Sequence, residues 1–378
     1  SAGMPKEGNL AFVSQSKAIC ASTIDWALKE QIGFSYFVST GNSIDINISD
    51  LIDYFGNDPR TLGLMLYVLS INDVREFMSA ARAFSRSKPI VAYKSGRYVE
   101  AEAMAFHTGV MVGEDDVYDA AYRRAGIVRV SVVDDLFDCA GLLAHQLPPR
   151  GNSLAIISNA GEPAAVAADA LLAYHGELTT PSPETLQQMP PLLQANRPPG
   201  NPVHLRRNAT ADEYASATAL ILNDVHVKAA LVVLTPREAT HATRIAQAVS
   251  EVAAKSPKPV LAAWMGGLRV QEGIAALNRQ GVPAYNSPEQ AVRAFNYLVS
   301  YGRNKETLYE TPRDVPIEFG QLRERVKQFW QQRQPDHELM TEYDSKALLQ
   351  SCGIPVAEVE IARSADEAVH VARRIGYP

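Results

Sequence analysis

The sequence predicts an α/β protein of two doubly wound domains with mainly parallel sheets, followed by the start of a third unit. Three observations carry this expectation. Short apolar strand-like runs alternate with amphipathic helix-like stretches up to about residue 301, the same run of signals occurs twice in the same order, and the character then turns charged and polar. A chain of 378 residues is long for a single domain, and about 150 residues per domain suggests two or three.

The first apolar strand runs from Leu10 to Val13, ends in Ser14-Gln15-Ser16 and leads into a helix-like stretch reaching about Glu30. Its counterpart runs from Leu154 to Ile157, ends in Ser158-Asn159-Ala160-Gly161 and leads into the alanine-rich run Ala164 to Ala173. Gly-Asn precedes both, as Gly8-Asn9 and Gly151-Asn152. Next come helices with apolar residues at i, i+3, i+4 and i+7: Val74, Phe77, Met78 and Ala81 in one half, Ile245, Ala248, Val249 and Val252 in the other. Lys88-Pro89-Ile90-Val91-Ala92 then matches Lys258-Pro259-Val260-Leu261-Ala262, each followed by glycine at Gly96 or Gly266-Gly267. The last pair sets Ala125 to Val130 before a helix over 135–144, and Gln280 to Tyr285 before a helix over 287–299. Ser287-Pro288-Glu289-Gln290 supplies a cap, an N1 proline and an N3 glutamine in order.

Pro148-Pro149-Arg150-Gly151 is the natural seam, dividing the chain into domains over 1–147 and 148–301. Residues 302–338 read as a solvated, charged linker carrying some helix. In the stretch 339–378, Thr341 to Asp344 and Ser364 to Glu367 have capping-box spacing and enclose Gly353-Ile354-Pro355 and an apolar strand. About 40 residues cannot complete the domain they start.

Composition narrows the function. The net charge is -6, with 36 basic and 42 acidic residues well mixed, so no basic stripe suits a nucleic acid. Cys20, Cys139 and Cys352 lie far apart without CxxC or Cys/His pairing, which argues against a disulfide framework or a metal site. No run approaches the ~18 apolar residues of a membrane span, and no signal-peptide pattern opens the chain. These features fit a cytoplasmic protein with neither membrane nor nucleic acid as partner.

Ser14-Gln15-Ser16, Gly41-Asn42-Ser43-Ile44-Asp45, Lys94-Ser95-Gly96-Arg97 and His107-Thr108-Gly109 follow one another in an order and spacing that resembles a known family. It is the succinyl-CoA-ligase-like flavodoxin domain of nucleoside-diphosphate-forming acyl-CoA synthetases, ADP-forming acetate–CoA ligases among them. Gly113 to Ala121 and Arg124-Ala125-Gly126 add to the likeness. Ser158-Asn159-Ala160-Gly161, Asn201-Pro202, Trp264-Met265-Gly266-Gly267 and Gly281-Val282-Pro283 resemble the companion ligase domain, also flavodoxin-like. Leu339 to Pro378, with Thr341-Glu342-Tyr343 and Cys352-Gly353-Ile354-Pro355-Val356, resembles the entry to an ATP-grasp domain.

The resemblance implies an acid-thiol ligase that relays a phosphoryl group between acyl phosphate and nucleotide. His107 matches the phosphorylated histidine. A neutral imidazole is a competent nucleophile near pH 7, and a covalent phosphohistidine divides one hard transfer into two easier ones. Nearly two negative charges on the phosphoryl group suit helix N-termini with free backbone N–H groups. The two strand-to-helix turns would offer two such ends, through Ser14, Gln15 and Ser16 in one half and Asn159, Ala160 and Gly161 in the other. Thr108 and Gly109 leave the backbone beside His107 free to approach a ligand. Coenzyme A, ATP or ADP, and magnesium would belong to the full-length parent, with no cofactor expected in this chain alone. Its expected partners are phosphate or acyl phosphate and the parent's CoA-binding and ATP-grasp domains, with homo-oligomerisation left open. No glycine-rich dinucleotide fingerprint of a CoA-binding domain precedes the first strand, and the body of the ATP-grasp domain is missing, so the chain alone is expected to be catalytically incomplete and not to bind ATP.

Several positions depart from the family pattern at the expected site. Lys17 and Glu162 replace glycines, Leu69 stands where an acid would orient the histidine, and His204 replaces the aspartate of Asn-Pro-Val-Asp. These changes, with the run Asp134 to Ala140, also fit a second reading: the synthetase-like regulatory, acyl-CoA-sensing region of a bacterial protein lysine acetyltransferase. A flavin-binding domain fits less well, because no aromatic pair flanks the first phosphate-type loop.

Overall fold

The computed structural model describes residues 3, 5–30, 32–41, 45–97, 115–189, 198–237, 240–309, 318–332 and 340–376. In the first half, strands β1 (Lys6–Ser14), β2 (Gly33–Ser39), β3 (Gly63–Val68), β4 (Ile90–Lys94) and β5 (Val128–Val130) form one sheet. Helices α1 (Lys17–Glu30), α2 (Ile48–Asn57), α3 (Val74–Ser85), α4 (Asp115–Arg124) and α5 (Asp134–His145) lie between and after them. The order is β2-β1-β3-β4-β5, parallel throughout. Central strands of such a sheet are covered on both faces, which is why Gly63–Val68 is buried along its whole length. Helix starts are set locally: Asn47 and Asp50 form a capping box at α2, and the Asp73 carboxylate caps α3.

The second half repeats this topology. Its elements are β6 (Ser153–Ser158), α6 (Gly161–Ala173), β7 (Glu177–Leu178), α7 (Pro183–Gln188), β8 (Val203–His204), α8 (Ala211–Asn223), β9 (Ala230–Leu234), α9 (Ala242–Ala253), β10 (Val260–Trp264), α10 (Gln271–Arg279), β11 (Ala284–Tyr285) and α11 (Pro288–Tyr309). The sheet order is β11-β10-β9-β6-β7, with β8 also paired to β6. The edge strand is thus in two pieces. β7 lies opposite Ser153 and Leu154, β8 opposite Ile157 and Ser158. The Asn201 side chain bridges the gap, accepting from Ile156 N–H at 2.9 Å and donating to the carbonyls of Leu154 and Thr179 at 2.9 Å each.

One continuous core joins the halves. It runs from Phe12, Met65 and Val91 of the first sheet to Ile156, Leu231 and Leu261 of the second. Between them lie Cys20 and Ala27 of α1, Leu136 and Leu143 of α5, Ala164 and Leu171 of α6, and Phe295 and Leu298 of α11. These helices form a shared layer between the sheets. Residues of opposite parity on the strands, such as Ala11 and Val13 or Ala155 and Ile157, face separate outer cores. Residues 1–309 accordingly form one compact unit, and the Pro148–Gly151 segment is a connection inside it.

Helix α11 ties the layers together. Asp135 of α5 accepts from Arg293 Nε at 2.9 Å and from Tyr297 Oη at 2.7 Å, while the Asp138 carboxylate accepts from Gln290 Nε2 at 2.6 Å. Asn304 Nδ2 donates to the Ile127 carbonyl at 2.8 Å. The helix runs past residue 301 because Tyr301, Asn304 and Leu308 continue its buried stripe, and Arg303, Lys305 and Glu306 are its outer face. Gly126, at φ +78°, lies where a Cβ would come within 2.5 Å of Leu308 Cδ1.

Residues 310–378 form a separate unit. It contains α12 (Glu318–Gln332), α13 (Glu342–Ser351) and α14 (Ala365–Ile375). Thr341 and Ser364 cap the last two through the N–H groups of Asp344 and Glu367, at the positions the spacing predicts. The apolar run after Gly353, expected as a strand, forms none among the described residues, which hold no strand in this unit for it to pair with. No helix among the described residues is long and apolar enough to cross a membrane.

Candidate phosphate site

In an order of the type 2-1-3-4-5 the chain reverses direction across the sheet between its first and third strands, and ligands bind outside the carboxyl ends there. The Ser14 turn stands at that point in the first sheet, the Ser158 turn at the same point in the second. Both turns are built alike. Ser14 Oγ accepts from Ser16 N–H at 3.0 Å and donates to the Ser16 carbonyl at 3.1 Å. Ser158 Oγ does the same with Ala160, at 3.1 and 2.9 Å.

The next side chain in each turn reaches across to the neighbouring strand. Gln15 Oε1 accepts from the N–H groups of Leu69 and Ser70 at 2.5 and 3.1 Å, and its Nε2 donates to the Ser70 carbonyl at 3.0 Å. Asn159 Oδ1 accepts from Thr235 N–H at 2.9 Å, and its Nδ2 donates to the carbonyls of Thr235 and Arg207 at 2.9 and 3.2 Å. Both amides hold the crevice in shape. What the turns leave to a ligand are first-turn N–H groups, at Lys17 and Ala18 of α1 and at Gly161 and Glu162 of α6. Pro163 offers none. Both helices belong to the shared layer, so the two turns stand at the ends of strands covered by one set of helices.

The residues that depart from the family pattern now have places. Lys17 is exposed at the first position of α1, and Leu69 packs against the shared core, so no acid follows β3 there. Glu162 and His204, with Gly161, Asp169 and Pro202, line an open cleft of about 470 Å3 at the start of α6. Its carboxylates oppose an anion. His107, Thr108 and Gly109 lie outside the described residues.

The chain on either side of 98–114 is anchored. Arg97 and Asp115 pair at 3.2 Å, and Arg129 of β5 pairs with the same carboxylate. Beside them Lys94, the last residue of β4, is 4% exposed; its Nζ donates to the Ser95 carbonyl and sits 4.6 Å from the centre of the Tyr118 ring. Tyr118 Oη in turn accepts from Ile71 N–H at 3.3 Å, closing α4 over the end of β3. Sequence reading set Lys94 in a motif but gave it no role; a lysine ending an apolar strand was the available signal. Among the described residues, no cluster of three or more His, Cys, Asp or Glu side chains is placed to hold a metal ion.

Comparison with known proteins supplies a context for this geometry. Residues 7–143 match the family model of the succinyl-CoA ligase like flavodoxin domain, and residues 331–378 match that of an ATP-grasp domain. The ADP-forming acetate–CoA ligase I of Archaeoglobus fulgidus is 32% identical over 99% of this chain and 53% of its own length. The alpha subunit of ADP-forming acetate–CoA ligase I of Pyrococcus furiosus is 35% identical over 79% of this chain and 65% of its own length. Among solved structures, acetyl-coenzyme A synthetase 1 of Candidatus Korarchaeum cryptofilum, in complex with phosphate and ADP, superposes with a TM-score of 0.76. It is 30% identical, over 82% of this chain and 68% of that one. The chain spans about half the length of its single-chain curated relatives.

Proposed function

The chain belongs to the family of ADP-forming acetate–CoA ligases, and from that premise we propose that residues 1–309 are the phosphoryl-relay core of an ADP-forming acyl-CoA synthetase. The observation that carries the proposal is the duplicated turn. Two switch points, each with a serine-closed turn and an amide clamp, open α1 and α6 within one shared helix layer. Such paired helix starts suit a doubly charged tetrahedral group.

In the forward direction phosphate attacks the thioester carbonyl of acyl-CoA, the thiolate leaves and acyl phosphate forms. An imidazole nitrogen of His107 then attacks phosphorus, the bond from phosphorus to the carboxyl oxygen breaks, and the acid departs. A terminal oxygen of ADP finally takes the phosphoryl group from nitrogen, regenerating the imidazole. The resting ring is nucleophilic only as the neutral form. Backbone N–H groups at Lys17, Ala18, Gly161 and Glu162 hold the phosphoryl oxygens. Coenzyme A, the nucleotide and its magnesium ion bind to the CoA-binding and ATP-grasp domains of the intact enzyme.

Lys17 adds a cation to one helix start and Glu162 an anion to the other, so the pair sets an asymmetric field on the phosphate. Leu69, standing where the family pattern has an acid, offers no acceptor that could set a histidine tautomer. The test uses the intact protein with acetyl-CoA, phosphate and ADP. ATP should form, and His107→Ala should abolish it; ATP formation that survives the substitution removes His107 from the relay.

A further inference from the structure

Lys94 is a buried cation with little to bind. An ammonium has three N–H donors, and among the described residues the one oxygen that accepts a hydrogen bond from Lys94 Nζ is the carbonyl of the adjacent Ser95. The Tyr118 ring face covers another side. Asp115, the acid that attracts it, is committed to Arg97 and Arg129. Burying a charge without a matching one is costly, and burial here pulls the ammonium down to about 8 despite the attraction of Asp115. Replacing it with an apolar side chain of similar length would remove that cost. A lysine in such a place points to an anion that comes and goes.

Its position says which anion. Lys94 ends β4, and the N–H of Ser95 donates to the Val68 carbonyl at 3.0 Å, so the ammonium stands at the carboxyl edge of the sheet beside β3. That is the edge on which the Ser14 turn opens and to which Gln15 pins Leu69 and Ser70. We propose that Lys94 binds a substrate oxyanion at the carboxyl edge of the first sheet, from the face that carries Tyr118 and α4. The inference rests on the phosphoryl-relay reading for its setting. The oxyanion chemistry is shared by two reactants, inorganic phosphate and the carboxylate of the product acid.

The test compares the 378-residue chain with its Lys94→Met and Lys94→Arg variants by calorimetric titration with inorganic phosphate and, separately, with acetate. Folding is followed by thermal unfolding. Lys94→Met should weaken binding of one of the two anions about tenfold or more, the loss of a charge-assisted bond, and Lys94→Arg should restore part of it. The anion affected identifies the source. Lys94→Met should also unfold no earlier than the parent, because it removes a buried charge that has no ion pair among the described residues; a purely structural lysine predicts earlier unfolding and unchanged affinities. Equal affinities of parent and Lys94→Met for both anions, or no binding of either by the parent, overturn the proposal. The two readings fail separately. A phosphohistidine that forms in the intact protein while Lys94→Met leaves both affinities unchanged removes Lys94 and keeps the relay. Lys94-dependent binding in a protein that never takes up a phosphoryl label keeps the anion subsite and removes the relay.

Discussion

Replacing Asn159 by alanine separates a scaffold from a ligand. The side chain is 2% exposed and makes three hydrogen bonds, one from Thr235 N–H and one each to the carbonyls of Thr235 and Arg207. Alanine leaves all three groups without that partner. A buried group stranded in this way costs about 1–3 kcal/mol, and a carbonyl with a second lone pair or water access costs less than an N–H. The expected loss is therefore about 2–4 kcal/mol, most of it from Thr235 N–H. Asn159→Asp keeps the acceptor for that N–H but turns a carboxylate oxygen toward two carbonyls, so it should destabilise too, and less at acid pH, where a protonated oxygen restores one donor. The assay is urea unfolding with and without millimolar inorganic phosphate. A clamp predicts the same loss in both solutions. Asn159→Ala that is as stable as the parent without phosphate, yet loses the stabilisation phosphate confers, would refute the clamp and return the amide to the ligand.

Two further outcomes test the shared helix layer. Burial pushes the Asp138 carboxyl up to about 6 from 3.8, against the bond from Gln290 that favours its charged form. The folded protein thus holds this proton more tightly than the unfolded chain, and its contribution to stability falls as pH rises from about 4 to about 6 and stays lost above, a change of about 3 kcal/mol. Asp138→Asn should gain about 1–3 kcal/mol on the parent between pH 4 and pH 8 in denaturant titrations; a difference that does not vary with pH shows that the carboxyl titrates normally. Gly126→Ala places a methyl against Leu308 and Ser85 at a left-handed φ of +78°, and should cost about 2 kcal/mol or more. Its thermal unfolding should shift down as a single transition across residues 1–309; an unchanged midpoint shows that α11 does not seat there.

Much of the fold was legible because parallel strands covered on both faces are short apolar runs and their helices carry a regular stripe. Leu10 to Val13, Leu154 to Ile157 and the two Lys-Pro runs all lie in or lead into strands, and the duplicated order of signals becomes a duplicated strand order. Periodicity shows which side of a helix is apolar but not what covers it. The shared layer was therefore not visible, and Arg303, Lys305 and Glu306 resembled a linker although Tyr301 and Leu308 keep the helix seated between them. At the site, the turns were found from small residues at strand ends. The tasks of Gln15 and Asn159 depend on strand neighbours far along the chain, Ser70 and Thr235, and no local pattern names them. Nor does a lysine at a strand end reveal that Asp115 is already committed to two arginines.

The shared layer also sets an order of events on the ribosome. The first sheet's strands are complete once Val130 has been made, yet β5 and α5 pack against α11, and the bond to Ile127 comes from Asn304. A nascent chain therefore carries a finished sheet whose α5 and β5 still expose the apolar surface that α11 covers, through the synthesis of the whole second half. Mixed pairing is an immediate hazard in that interval, since the repeat still to emerge has the same strand order and the same helix faces. The differences between the copies, a split edge strand bridged by Asn201 in one and an unbroken β2 in the other, give the two halves distinct edges with which to avoid exchanging partners.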